Sequence, residues 1–459
     1  MLFSGHNSSS TAEARRKYSC FAIQQLSIPS LPAYNPRYPT DMLVLISVLV
    51  GIAALFGWTS ARVLKLPNTI GTMFLTAVTS IALGLLAPIW PAPHDWAVNL
   101  IRQIDFQRLI LHGMLSLLLF AGAFLLDLDA LRRQKLAITL LSVVATVLST
   151  LAVGGITWYA VRLFGLTSSL LECLLFGALI SPTDPIAVLE MLRRVNAPKH
   201  LEAQLAGESL FNDGVGAVIF ISLLAATRGA MPTAGHIVTQ MIISASGGIL
   251  VGALAAIPIA YLMHSLDNPP VDLLLSLALA VGGYVTAEAL GVSAPLEAVA
   301  SGLVLRSLIE RLPSERIAHH ELKHFWSNLD EIQNAILFVL LGCGFLVVTF
   351  KRPAVYLGIS EVVVVNVVRI ATVGFVLLLL KLLRTDCHSS LAVLSWGGLR
   401  GGLSIALALS IPVTYGSGWI VTSTYVLVVF SILIQGSTMG LFLRRLHPTR
   451  QIAAQPVSS

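Results

Sequence analysis

Thirteen stretches of mostly apolar residues, separated by short connections rich in Pro, Gly and charge, leave this chain one class of fold. A run of about 20 such residues can cross a bilayer as a helix, and lipid offers no partner to unpaired backbone groups. The stretches run approximately over 41–61, 69–90, 109–127, 136–163, 170–191, 204–227, 235–264, 272–290, 293–310, 332–351, 354–380, 388–411 and 419–443. Charged residues make up 11% of the 459 and hydrophobic ones 56%, where soluble domains carry about 25% charged residues. The chain therefore reads as an all-α polytopic membrane protein with the bilayer as its first partner.

Residues 1–40 are of a different composition. A Ser/Thr-rich start and Arg15-Arg16-Lys17 are followed by Pro29, Pro32, Pro36 and Pro39, spaced too closely for a helix. They read as a disordered tail and make a poor signal peptide, with Met42 as an alternative start. The transmembrane region spans 41–443, and 444–459 read as a short cytoplasmic tail.

The net charge of +6 does not signal nucleic acid, because the basic residues lie mainly in loops, where the orientation rule places them. One set of alternate loops holds Arg62, Lys65, Arg132, Arg133, Lys135, Arg193, Arg194, Lys199 and most of the basic residues that follow. The opposite set holds few: Arg102, Arg108, Arg162, Arg228, Lys351 and Arg352. This bias puts the first set and the C-terminus in the cytoplasm and the N-terminus outside. Cys20, Cys173, Cys343 and Cys387 are far apart and show no metal-like spacing. No cofactor is expected.

Thirteen spans divide as six, one and six, the pattern of two inverted repeats flanking a linking helix. The fifth span then corresponds to the twelfth. The fifth is interrupted at Ser181-Pro182-Thr183-Asp184-Pro185, and the twelfth carries Trp396-Gly397-Gly398-Leu399-Arg400-Gly401-Gly402. Breaks at corresponding places in two halves point to an ion site where the interrupted helices cross at mid-membrane. Proline lacks an amide proton and disfavours helix just before itself, so carbonyls near Thr183 lose their helical partners and become available to a cation.

Carboxylates at membrane depth are costly and mark ion or proton pathways. Asp184 lies between the two prolines, and the sixth span carries Gly207-Glu208-Ser209-Leu210-Phe211-Asn212-Asp213. Ser209 and Asp213, four residues apart, share a helical face, and Glu208 and Asn212 share the adjoining one. The hard oxygens of Asp213, Ser209 and Thr183 suit a monovalent alkali cation better than a transition metal. A lone buried carboxylate prefers to be neutral, so proton and cation compete for Asp213, and that competition couples their fluxes as exchange. Asp184 either stays protonated or donates a hydrogen bond to Asn212.

Arg369 and Arg400 fall inside predicted spans and need partners. Glu208 reads as the structural partner of Arg369, and Arg400 as a cap for exposed half-helix carbonyls or a prop for the crossing. Glu288 and Glu297 flank the turn at Gly291 and either line a vestibule or ride at the membrane surface. Glu172 and Glu361 fall near predicted span ends, where interfacial exposure is the default. His319, His320 and His324, with Glu315 and Glu321, read as a solvated cytoplasmic loop, with pH sensing as the alternative.

The three motifs, together with Gly214, resemble those of the monovalent cation:proton antiporters, in particular the bacterial electroneutral sodium/proton exchangers. The resemblance covers about residues 42–443 and implies a homodimer with a dimerisation panel and a six-helix core that moves as a unit. It gives Asp213 the cation- and proton-binding role and makes Asn212 the mark of the electroneutral branch, since electrogenic relatives carry a second aspartate there. Asp184 and Thr183 match the crossing-point pair, and Glu208 and Arg369 a structural ion pair. Some members carry an acidic residue within the stretch matched here by Leu119-Phe120-Ala121-Gly122, and this chain does not. The expected activity is exchange of Na⁺ or Li⁺ for H⁺. Potassium/proton exchange is the near alternative and an intramembrane aspartyl protease the remote one, the latter without its usual Gly-x-Gly-Asp context.

Overall fold

A computed structural model describes residues 41–65, 68–102, 104, 109, 113–194, 198–228, 234–266, 268–311, 316–348, 350–384, 390–411 and 418–446. The predicted tail 1–40 and residues 447–459 of the predicted C-terminal tail lie outside them. The chain divides into two compact units, residues 1–48 and 49–459. Only residues 41–48 of the first are described, as helix, and everything below concerns the second.

All thirteen predicted stretches contain helix. They are α1 (Asp41–Thr59), α2 (Asn68–Leu86), then after a short surface helix α3 (Pro91–Arg102), α4 (Leu115–Leu125). The short α5 (Leu128–Arg133) precedes the fourth span, in which α6 (Lys135–Thr139) runs through a π-helical stretch, Leu140–Ala145, into α7 (Thr146–Leu163). The fifth is split into α8 (Leu170–Ile180) and α9 (Ile186–Arg194), and the sixth is α10 (Lys199–Arg228). Then come α11 (Ala234–Leu266), α12 (Pro269–Ala289), α13 (Ala294–Arg311), α14 (Arg316–Cys343) and α15 (Arg352–Leu382). The twelfth is split into α16 (Leu391–Trp396) and α17 (Gly402–Leu409), and the last runs from α18 (Gly418–Phe430) through π-helical Ser431–Gly436 into α19 (Ser437–Leu446).

Among the described residues nine helices are individually long and apolar enough to span a membrane. The other four stretches fall short for physical reasons. The fifth and twelfth are cut by their Pro and Gly breaks, α4 is only 11 residues long, and α13 carries Glu297, Arg306, Glu310 and Arg311. Gly291, at a φ of +70°, makes the tight turn that separates α12 from α13, so the chain there forms two helices.

Several sequence expectations need correction. α3 occupies a stretch assigned to a connection. α14 begins at Arg316, well before the predicted start at 332, so the backbone of the histidine cluster is helical and the loop reading is wrong. The side chain of His319 lies outside the described residues. The reason is amphipathicity: between 320 and 331, Leu322 and Trp326 are buried while His320, Glu321, Lys323, His324, Asn328 and Glu331 are exposed. Glu361 is fully buried, because α15 starts nine residues before it and its buried face carries Glu361, Val365 and Arg369. The Thr157 hydroxyl of α7 faces the Glu361 carboxylate. Glu297 is also fully buried, packed against Gly283 of α12 with no room for a side chain between them, so it is neither at the surface nor in a vestibule.

Candidate functional site

The two broken helices meet. The amide of Asp184 donates to the carbonyl of Leu399 at 2.8 Å, joining the fifth-span break to the twelfth-span break through backbone alone. Pro182 and Pro185 make this geometry available by ending α8 and starting α9 without amide protons of their own to place, while the Pro185 carbonyl accepts the Leu189 amide at 2.7 Å. The Asp184 carboxylate accepts the amide of Ile186 at 3.0 Å, capping the first turn of α9. Gly401 allows the approach, since a Cβ there would fall on that carboxylate.

The sixth span closes the site from a third direction. Asn212, fully buried on α10, accepts the Thr183 amide at 3.3 Å and donates to the Thr183 hydroxyl at 2.9 Å. The Asn212 amide therefore serves Thr183, and Asp184 is not its partner. The Ser209 hydroxyl donates to the carbonyl of Thr183, one of those freed by the break. Ser181 returns its hydroxyl to Gly177 at 2.6 Å, closing the end of α8.

Removal of the Asn212 side chain takes away both bonds to Thr183. Asn212→Ala should destabilise the protein by about 1–3 kcal/mol, the sum of two net hydrogen bonds. Thermal unfolding in detergent reads this, and an unchanged midpoint would refute the bracing role.

Thr183, Asp184, Ser209 and Asp213 all line one cavity of about 200 Å³. Asp213 is partly exposed to it and accepts no hydrogen bond from the described residues, whereas the other three already hold partners. Leu119 and Gly122 line the cavity from α4, the stretch without an acidic residue. Residues that the sequence reading did not select also contribute: Asp330 and Asn334 from α14 and Ser404 from α17. Asp330, just before the predicted span 332–351, looked like a loop end, and Asn334 and Ser404 were single polar residues inside predicted spans with no local motif to single them out. Asp330 and Asn334, with Leu125, Ile186 and Leu189, also line a second cavity of about 870 Å³, reaching Trp58, Thr69 and Glu331. The shared walls form a vestibule onto Asp213.

Behind the cavity lies an ionic frame. Arg369 Nη1 is 2.5 Å from Glu208 Oε1, with the two side chains 5% and 0% exposed, so the pair is removed from solvent. Arg369 also donates Nη2 to the carbonyl of Leu394 at 3.0 Å, satisfying one orphan carbonyl of the half helix α16. It lies flat against Gly398, where a Cβ would meet its Nε at 2.8 Å. Arg400 is buried as well; its Nη1 donates to the carbonyl of Gly398 at 2.9 Å and its amide to the Ser431 hydroxyl at 2.8 Å. Ser431 opens the π-helical stretch of the last span, a departure from regular helix frequent at functional sites.

Among the described residues no group of three or more His, Cys, Asp or Glu side chains forms a metal-binding cluster. The cavity instead offers one free carboxylate, hydroxyl groups and a broken-helix backbone. Such a set can bind a proton or a weakly held hard cation.

Comparisons with known proteins agree with this chemistry. Residues 50–445 match the family model described as sodium/hydrogen exchanger, transmembrane. The Na(+)/H(+) antiporter NhaP of Pseudomonas aeruginosa is 36% identical over 422 residues, covering 91% of this chain and 98% of the relative. The Na(+)/H(+) antiporter NhaH of Halobacillus dabanensis is 28% identical, covering 88% and 97%. Among solved structures, the sodium proton antiporter MjNhaP1 of Methanocaldococcus jannaschii at pH 8 aligns with a TM-score of 0.68 at 20% identity, over 88% of this chain and 99% of that one. That likeness bears out the all-α antiporter fold.

Proposed function

This chain belongs to the transmembrane sodium/hydrogen exchanger family, and from that premise we propose that Asp213 carries out secondary active exchange of Na⁺ for H⁺. The observation that carries the assignment is a carboxylate with no internal partner, facing a vestibule beside two crossed helix breaks. Sodium binds the Asp213 carboxylate with oxygen from the Ser209 hydroxyl and the Thr183 region, and a proton occupies the same carboxylate on the return. Cation and proton exclude each other there, so each half cycle carries one of them. Asp184 holds α9 in place and adds negative potential, while Asp330 and Asn334 form the approach from the vestibule.

Electroneutral exchange follows from a single exchangeable carboxylate next to the neutral Asn212. The vestibule belongs to the cytoplasmic side in this reading, because its lining residues Trp58 and Thr69 flank the loop of Arg62 and Lys65, which the charge bias makes cytoplasmic together with the C-terminus. The family resemblance supports a homodimer in a bacterial-type inner membrane.

Proteoliposomes with an internal pH dye test this reading directly. Sodium or lithium pulses should move protons equally with and without a valinomycin clamp. Flux that scales with the imposed voltage would refute electroneutrality, and flux with potassium alone would change the substrate.

A further inference from the structure

On the exposed face of α14, far from Asp213 in the chain, His320 and His324 bring their Nε2 atoms to 3.2 Å, with ring centroids 4.3 Å apart in an edge-on arrangement. We propose that this pair chelates a divalent first-row transition cation of the zinc class at the vestibule rim.

The geometry carries the chemistry. Two imidazole nitrogens bound to one tetrahedral ion at about 2.0–2.1 Å must sit about 3.3 Å from each other. The spacing here is that of a bidentate site with the ion still to be inserted between the rings. Residues four apart on a helix project from the same face, so the backbone sets this spacing without a loop closing. Both side chains are exposed, so an ion can reach the two ring nitrogens and water can fill the remaining coordination positions. No third His, Cys, Asp or Glu joins them among the described residues, which makes the site open and its ion exchangeable.

The location gives binding a consequence. Continuing the same helical stripe, Ser327 and Asn328 follow His324 by three and four residues, and Glu331 follows by seven; all three line the larger cavity. An ion held between His320 and His324 sits about level with residue 322, about 7.5–9 Å along the axis from Ser327 and Asn328. Its charge opposes sodium entry and its chelation stiffens the start of α14, the helix that carries Asp330 and Asn334. This consequence rests on the transport reading above; the binding itself does not.

The test uses the full chain without a histidine tag, purified in detergent, with Zn²⁺ titrated against a chromophoric chelator. The double variant H320Q/H324Q should bind one equivalent fewer than the parent chain, and each single variant should hold that equivalent about tenfold more weakly or worse, since the second ligand of a chelate acts at high effective concentration. H94Q should leave it unchanged. Equal binding by the parent and the double variant would overturn the site. In proteoliposomes, Zn²⁺ on the vestibule side should slow exchange by the parent and leave the double variant unaffected. Equal inhibition of both, with binding lost in the variant, would overturn the rim effect while leaving both chelation and exchange standing.

Discussion

Asp213→Asn should abolish sodium-driven proton movement while leaving the protein folded. The substitution keeps the shape and removes the only group in the cavity that, among the described residues, is both ionisable and without an internal partner. Asp213 supports no hydrogen bond among the described residues, so its loss disconnects nothing in the frame. An amide neither binds a proton near neutrality nor offers a formal charge to sodium, so both halves of the cycle fail together. The measurement is dye-reported flux, with thermal unfolding in parallel. Full sodium-driven flux in D213N would remove Asp213 from the mechanism and leave Asp184 as the carboxylate to test.

The second large effect falls on stability. Glu208→Gln leaves Arg369 without its counter-charge, beside a second buried guanidinium, Arg400. Breaking a buried pair from one side costs about 3–5 kcal/mol. Arg369→Leu should cost as much, because it strands the Glu208 carboxylate and also releases the Leu394 carbonyl bound at 3.0 Å. The double change E208L/R369L removes both charges, and its unfolding temperature should lie above that of either single variant, since paired buried charges replaced by apolar side chains are often nearly neutral. A double variant as unstable as the sum of the singles would show that the two residues act independently. Transport by any of these variants is expected to fall roughly in step with stability, unlike the clean loss in D213N.

Local chemistry explains which parts of the molecule could be read from the chain. Apolar length and the Pro182–Pro185 and Gly397–Gly402 breaks are written in residue types, and the helices begin and break near those signals. The placement of Ser209 and Asp213 on one helical face follows from four-residue spacing and is visible in the cavity lining, which Thr183 joins from the fifth-span break. What sequence could not supply was the contribution of distant helices. Asp330 and Asn334 reach the cavity only because α14 packs beside the break, and no local pattern encodes that contact. Glu361 looked interfacial because span boundaries were drawn by hydropathy. It is buried instead because it shares the inward face of α15 with Val365 and Arg369, packed against neighbouring helices. Similarly, the mixed polarity of 316–331 resembles a loop until Leu322 and Trp326 are seen buried on one side of a helix.

The crossing itself is held largely by main-chain groups. The Asp184 amide meets the Leu399 carbonyl, and the Arg400 amide is satisfied by a serine hydroxyl. Such links are blind to what the side chains of Asp184, Leu399 and Arg400 are. Scaffold and selectivity are thereby partly separable: Leu119, which lines the cavity but forms no bond of the junction, can be exchanged to reshape the surroundings of the ion while the Asp184–Leu399 link that makes a site possible stays in place.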